Sequence, residues 1–319
     1  MELHWDFLQL SVVPQESVYA AAIGRIMRMA AEQQRLTANV RTRRIAGALG
    51  AELFGLNCAK PLGSAELGAL RRALVEHLVV SLPDQPMSLD DLERLTDQLG
   101  GRMATPFVKP LADRPYVIRV LKEPGDKLNF ANAWHSDLTY LPEPPSFTLL
   151  HAHDVPDHGG DTLFQNQYLA YENLSDGLKQ TLRGLRAVHS AGMAYGTGGY
   201  LDQVKHQMST AIEPSKEAFN EVAHPIVVTH PESGKAALFV NPVYTVRIEG
   251  WSHGESQALL QYLYKHGLNE NFTCRVRWAK GTLTIWDNRA TQHNALNDYA
   301  GQRREMYRTS VLGAAPKAA

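Results

Sequence analysis

The chain predicts a mainly β domain, a sandwich or jelly roll with a few helices packed outside it. Short runs of β-branched and aromatic residues recur through the C-terminal two thirds, punctuated by Gly, Pro or Asp, and only a few segments combine helical periodicity with a helix start signal. A length of 319 residues with 44% apolar side chains suits one domain around a large core.

Residues 1–42 stand apart as an N-terminal extension. Val18 to Gln34 has the spacing of an amphipathic helix, but Ala and Met dominate its apolar face, and Met27 and Met29 leave open a later natural start for the chain. The domain proper is expected over 43–315. Ser64 to His77 reads as a helix because Leu67, Leu70, Leu74 and His77 recur at helical spacing, and Leu78 to Leu82 reads as a buried strand. A second helix starts at Ser88, where Asp91 completes a capping box and Leu92, Leu95 and Leu99 share a face. A third starts at Ser252, with Glu255 in the same role and Leu259, Leu260 and Leu263 turned inward. Strands are expected at Tyr116–Val120, Phe147–His151, Thr162–Phe164, Pro225–Thr229, Ala237–Val240, Phe272–Trp278, Thr282–Trp286 and Arg308–Leu312. Residues 190–223 are Gly-rich, then polar, without a strong period, and read as a mobile lid over a mouth.

Composition narrows the function. A formal net charge of −1 with scattered Lys and Arg supplies no basic stripe for nucleic acid or an anionic membrane. No apolar run reaches membrane-spanning length, the start of the chain lacks the pattern of a secretory signal, and Cys58 and Cys274 form neither a CxxC pair nor a disulfide framework. A protein of the cytoplasm acting on small molecules is expected.

The candidate chemistry lies in His135-Ser136-Asp137, His293, Arg304 and Arg308. A His-x-Asp tripeptide occurs by chance roughly once in such a chain and is weak alone. In a strand, however, residues two apart point the same way, so His135 and Asp137 can reach one ion, and the turn after Trp286 delivers His293 to the rim of the fold. Two imidazoles and one carboxylate suit Fe(II) and leave three positions open for a chelating co-substrate and dioxygen. A dicarboxylate such as 2-oxoglutarate, chelating iron through its keto-acid end, needs a guanidinium for its far carboxylate. Arg304 and Arg308, four apart on an extended strand, share one face. Other histidines read as structural: His151 and His153 lack a third ligand, and His224-Pro225 and His230-Pro231 flank a strand.

The blocks Trp134-His-Ser-Asp137, Gly159-Gly-Asp-Thr162, Val240-Asn241, Trp286-Asp-Asn-Arg289 and His293 followed by Asp298-Tyr299 and Arg304 together resemble the Fe(II)/2-oxoglutarate-dependent dioxygenases of the taurine dioxygenase and phenoxyacetate-herbicide dioxygenase type, over nearly all of Ile45 to Leu312. The resemblance implies a double-stranded β-helix, the cupin-like jelly roll. It also implies iron ligands His135, Asp137 and His293, 2-oxoglutarate contacts from Thr162 and Arg304, cofactor-pocket walls from Trp278 and Trp286, and an anionic substrate group on Arg308. The implied reaction is oxygen insertion at a C–H bond coupled to conversion of 2-oxoglutarate to succinate and CO2. Asp137 argues against halogenation, which needs that carboxylate absent.

Departures from the taurine pattern bear on substrate. Taurine-acting relatives carry His before a Pro where this chain has Thr105-Pro106, and Asn where it has Ala131. Losing such polar anchors leaves taurine's polar groups unpaired, at about 1–3 kcal/mol each. Thr105, Ala131, Leu138 and Tyr195 are expected to line a roomier, less polar pocket with Arg308 as its charged anchor. An aryloxyalkanoate-like carboxylate attacked at the carbon next to its heteroatom is the leading expectation. The alternatives are a taurine, alkylsulfonate or alkylsulfate dioxygenase, a biosynthetic hydroxylase or desaturase, and, outside enzymes, a metal-dependent small-acid binding protein. Relatives commonly form homodimers or homotetramers, which leaves either state open here, since the sequence shows no self-evident interface.

Overall fold

The computed structural model describes residues 40–319. The helix expected at Val18–Gln34, and with it nearly all of the 1–42 extension, lies outside the described residues.

The chain enters with β1 (Arg41–Arg44) and β2 (Ala51–Phe54), already paired two residues before the 42/43 boundary read from the sequence. Next come α1 (Ser64–His77), β3 (Val79–Leu82) and α2 (Leu89–Leu99). Short strands β4 (Arg102–Met103) and β5 (Pro110–Leu111) precede the long β6 (Arg114–Lys122), β7 (Phe147–Asp154) and β8 (Thr162–Asn166). Two short helices, α3 (Gln167–Glu172) and α4 (Asp176–Leu182), lead to β9 (Arg186–Ser190), then to α5 (Gly192–Tyr195) and α6 (Tyr200–Val204). Strands β10 (Glu221–Pro225), β11 (Val227–Thr229), β12 (Ala236–Leu238) and β13 (Thr245–Ile248) precede α7 (His253–Gly267). The last four strands are β14 (Thr273–Val276), β15 (Leu283–Asp287), β16 (Thr291–Ala295) and β17 (Arg304–Val311).

A nine-stranded sheet runs β1-β2-β3-β15-β7-β17-β6-β5, with β4 also on β17, and faces a smaller sheet β14-β8-β16 in a jelly roll. Strand alternation decides what each face carries. On β15, Leu283 and Ile285 point outward to a cluster with Leu70, Leu74, Leu92 and Leu95, so α1 and α2 cover that face, while Trp286 points inward. Each of those buried leucines contributes roughly 1.5–3 kcal/mol over an exposed one. On β7, Phe147 and Leu149 face the helices, leaving Thr148 and Leu150 on the inner side. On β17, Arg304, Met306 and Arg308 share the inner face, while Thr309 turns outward to share a hydrogen bond with Thr96 of α2. The helix starts are as expected: Ser88 Oγ accepts from the Asp91 amide and Asp91 accepts from the Ser88 amide, and Ser252 and Glu255 repeat the exchange.

The stretch 190–223, expected as a lid, holds α5, α6, two 3-10 turns and the start of β10. Helices of four and five residues are too short to print a period in sequence. Pro225 to Thr229 is two strands, not one: the chain changes sheets at Ile226, whose amide donates to the Leu185 carbonyl while its own carbonyl accepts from Phe239. His135 and Asp137 do not lie on a strand; His135 makes an isolated bridge and Asp137 begins a turn.

Buried histidines tie stability to pH. His189 on β9 is fully buried against His224 and Phe239, and burial, reinforced by the neighbouring His224, pushes its pKa down to about 3. Between that value and the ordinary 6.5, the unfolded chain takes up a proton that the folded chain refuses, so stability present above pH 6.5 is lost as pH falls toward 3. At pH 5 the loss is about 2 kcal/mol for this one group. Denaturant melts at pH 7.5 and 5.0 will show the parent losing more stability than His189→Leu; equal losses would count against this assignment.

Candidate metal centre and substrate cavity

The two distant histidines meet as backbone partners. The His135 amide donates to the His293 carbonyl at 3.0 Å and the His293 amide returns the bond at 2.8 Å, attaching the 135 segment to the free edge of β16. Hydrogen-bonded partners in an antiparallel pair project side chains to the same face, and the two rings lie 4.2 Å apart. The following turn folds Asp137 beneath them, with Oδ1 3.7 Å from His135 Nε2 and 4.0 Å from His293 Nε2. One donor atom from each of the three lies within 4.8 Å of the others, and this is the only such group of three or more His, Cys, Asp or Glu among the described residues.

The surroundings prepare these groups for a cation. His135 Nδ1 lies 2.7 Å from the Ala133 carbonyl, which selects the tautomer with Nδ1–H donating and Nε2 free. Burial lowers the pKa of both imidazoles, and the neighbouring His135 helps push His293 down to about 3, so both are neutral at pH 7. Burial alone raises the Asp137 pKa. Arg308, both histidines and the Thr148 hydroxyl outweigh it and hold the carboxyl at about 2, so it is ionised. Phe164 and Trp286 pack on the His293 ring at 5.8 and 4.8 Å and limit its rotation.

Two buried arginines flank the triad. Arg308 Nη2 lies 3.0 Å from Asp137 Oδ1 but is not aligned to donate, and neither its Nη2 nor its Nε finds a hydrogen-bond partner. Arg304, 4% exposed and stacked 5.7 Å over Trp278, likewise leaves Nε and Nη2 unpaired. Trp278 Nε1 donates to Thr162 Oγ1 at 3.0 Å, leaving the hydroxyl's own proton free to donate, and Thr162 lines the same narrow space as Arg304. The turn before Thr162 is built from glycines for a visible reason. Gly160 has φ +67°, and a Cβ there would press on the Tyr299 ring at 3.2 Å and on Arg304 Cδ at 3.3 Å.

A narrow space of about 30 Å³ between Thr162, Trp286, His293, Arg304 and Arg308 adjoins the triad. On the other side a cavity of about 150 Å³ touches His135, Asp137 and Arg308 and is walled by Phe130, Leu138, Tyr195, Leu201, Met208 and Tyr244. Ala131, Leu138 and Tyr195 are among its lining residues, and Ala131 and Leu138 hold positive φ, +68° and +51°, a conformation that residues other than glycine rarely adopt without tertiary constraint. Thr105 is not among the residues that line the cavity. Two residues on, Phe107 packs against Tyr140 and Tyr195 at 5.8 Å each and supports the wall instead. The short helices of 192–204 roof this space through Ala194, Tyr200 and Leu201. Met208, Val243, Tyr244 and the 128–130 segment were not singled out from sequence, because isolated loop residues carry no periodic signal. His151 and His224 bond backbone carbonyls and His230 pairs with buried Asp287 at 2.9 Å, consistent with structural roles.

Over residues 41–310 the chain matches the family described as Taurine catabolism dioxygenase TauD, TfdA family. The chain belongs to that family. It is also similar to several known proteins over most of both lengths. An alkylsulfatase of Acinetobacter baylyi is 32% identical over 88% of this chain and 87% of its own, and an alpha-ketoglutarate-dependent sulfate ester dioxygenase of Pseudomonas putida is 34% identical over 85% and 89%. A 2,4-dichlorophenoxyacetate dioxygenase of Cupriavidus pinatubonensis is 30% identical over 81% and 92%. The crystal structure of a taurine dioxygenase from Burkholderia xenovorans superposes with a TM-score of 0.74 at 29% identity, covering 88% of this chain and 91% of that one. This TauD/TfdA protein is therefore a 2-oxoglutarate-dependent, non-haem iron dioxygenase that uses Fe(II), 2-oxoglutarate and O2, and its His135–Asp137–His293 group fits the iron. Among the described residues no helix is long and apolar enough to cross a membrane.

Proposed function

We propose that the protein hydroxylates the carbon bearing the ester oxygen of a small alkyl sulfate. The observation that carries this reading is the pair of buried guanidinium groups with unpaired N–H on either side of the metal triad. A buried guanidinium N–H without an acceptor is costly unless an anion arrives to meet it, so the site is built for two anionic ligands.

Arg304 and Thr162, in the narrow space beside His293, hold the far carboxylate of 2-oxoglutarate, and His135, Asp137 and His293 hold the iron. Iron, 2-oxoglutarate and dioxygen together supply, when bound, the oxidising power that turns C–H into C–OH, with succinate and CO2 as co-products. The remaining work falls to the chain. Arg308 sits 3.0 Å from a ligating oxygen, so an anionic headgroup bound to it delivers the adjacent carbon, and not one far along the molecule, to the metal. Phe130, Leu138, Leu201 and Met208 exclude water and receive the apolar body. A hydroxyl placed on a carbon that also carries the ester oxygen gives a hemiacetal-type product, which separates into aldehyde and sulfate.

Similarity to the alkylsulfatase and the sulfate ester dioxygenase over most of both lengths favours a sulfate headgroup. The aryloxyalkanoate expected from sequence is the second reading, supported by the 2,4-dichlorophenoxyacetate relative and by the same cavity geometry. A panel of hexyl sulfate, phenoxyacetate and taurine, read by succinate together with sulfate, phenol or sulfite, decides among them. Hexyl sulfate should lead, with taurine lower in kcat/KM by about 100-fold or more for its unmatched polar groups. Preference for taurine would overturn both readings, and preference for phenoxyacetate would overturn the sulfate assignment.

A further inference from the structure

We infer that Thr148 and Asn288 are positioning residues that fix which oxygen of Asp137 faces the metal and tie that carboxylate to His293 through Trp286. Thr148 Oγ1 donates to Asp137 Oδ2 at 2.8 Å, leaving Oδ1 as the oxygen turned toward both histidines. The hydroxyl's orientation is itself imposed. Asn288 Nδ2 donates to Thr148 Oγ1 at 2.8 Å, which occupies a lone pair and directs the single proton of Thr148 to the carboxylate. The Asn288 amide cannot flip, because its Oδ1 accepts from Trp286 Nε1 at 3.0 Å and from the Asp137 amide at 3.4 Å. The ring of that same Trp286 packs 4.8 Å from His293. One chain of bonds therefore spans β7, the turn after β15 and the turn that carries Asp137, and braces two of the three metal-facing side chains.

The relay is buried throughout: Thr148 is 0% exposed, and Asn288, Trp286 and Asp137 are each 2% exposed. In such surroundings a missing link cannot be replaced by water without rearrangement, and an untethered carboxylate is free to rotate, to turn Oδ2 to the metal, or to close on Arg308 Nη2, already 3.0 Å from Oδ1. The relay thus also keeps the Arg308 guanidinium available to substrate.

Thr148→Val keeps shape and removes the donor, while Thr148→Ser keeps the donor and removes only a methyl. Metal-free protein of parent, Thr148→Val, Thr148→Ser and Asn288→Ala is titrated with Mn(II), following free Mn(II) by its paramagnetic resonance signal, beside thermal melts of the same samples. The Mn(II) dissociation constant should rise about 10–100-fold in Thr148→Val and Asn288→Ala and stay within about threefold of the parent in Thr148→Ser. A merely structural role would lower the melting temperature and leave the dissociation constant within threefold in every variant, which overturns the inference. Equal weakening in Thr148→Ser and Thr148→Val overturns it too, since the hydroxyl would then not be the operative group. Should Thr148→Val fail to fold, Asn288→Ala and Thr148→Ser carry the same comparison. The titration needs no organic substrate, so its result stands apart from the sulfate ester assignment.

Discussion

Replacing Asp137 by alanine will abolish metal-dependent turnover and weaken the fold at the same time. The carboxylate is the single anionic member of the triad and the counter-charge of Arg308, 3.0 Å away, in a place where both side chains are at most 7% exposed. Without it two neutral imidazoles remain, and succinate production should fall by a factor on the order of 1000 or more. The same substitution strands the Arg308 guanidinium, and breaking a buried pair from one side costs about 3–5 kcal/mol. Mn(II) titration and denaturant melts of the metal-free chain measure the two effects separately. Asp137→Ala protein that binds Mn(II) within tenfold of the parent would remove the triad from its assigned role.

Arg304→Met should split activity from stability in the opposite sense. A guanidinium gripping a carboxylate through paired N–H groups contributes about 1.5–3 kcal/mol per charge-assisted bond, so its loss should raise the KM for 2-oxoglutarate by about 100-fold or more. In the ligand-free chain, however, Arg304 is buried with Nε and Nη2 unpaired, and burial lowers its pKa below the usual arginine range. A side chain of similar length without charge lifts that penalty, so the ligand-free variant should melt at or above the parent temperature while the parent gains far more from added 2-oxoglutarate. The KM and the melting shift with and without 2-oxoglutarate check this; an unchanged KM would place the far carboxylate elsewhere.

Local chemistry was the part of this protein legible in one dimension. The boxes at Ser88–Asp91 and Ser252–Glu255 work within one helical turn, so those helix starts needed no tertiary knowledge. The four-residue spacing of Arg304 and Arg308 likewise survives folding because alternation along a strand is a backbone property, and β17 turns both inward. His-x-Asp was read correctly as a pair able to share an ion but for an inexact reason: the pair sits on an edge bridge and a turn, with β16 supplying the alignment that a strand was expected to provide. Thr105, expected in the pocket because it stands where taurine-acting relatives carry His before Pro, does not line the cavity, whereas Phe107 two residues on packs against two rings of its wall. Nothing in the row of letters marked Thr148, which looks like any strand threonine until its partners are known.

The order of residues by itself determined the kind of chemistry: which side chains can bind a ferrous ion, which can hold anions, and which runs alternate and which wind. Only the tertiary structure decided that one face of the nine-stranded sheet, one edge of the smaller sheet and one turn deliver those groups to a common point. It also decided that both buried guanidiniums keep N–H groups without acceptors, and that Asn288 and Thr148 stand behind the metal-facing carboxylate. The reason is physical: donor type is a property of each residue, whereas distance, desolvation and hydrogen-bond satisfaction belong to pairs of atoms brought together by strands far apart along the chain.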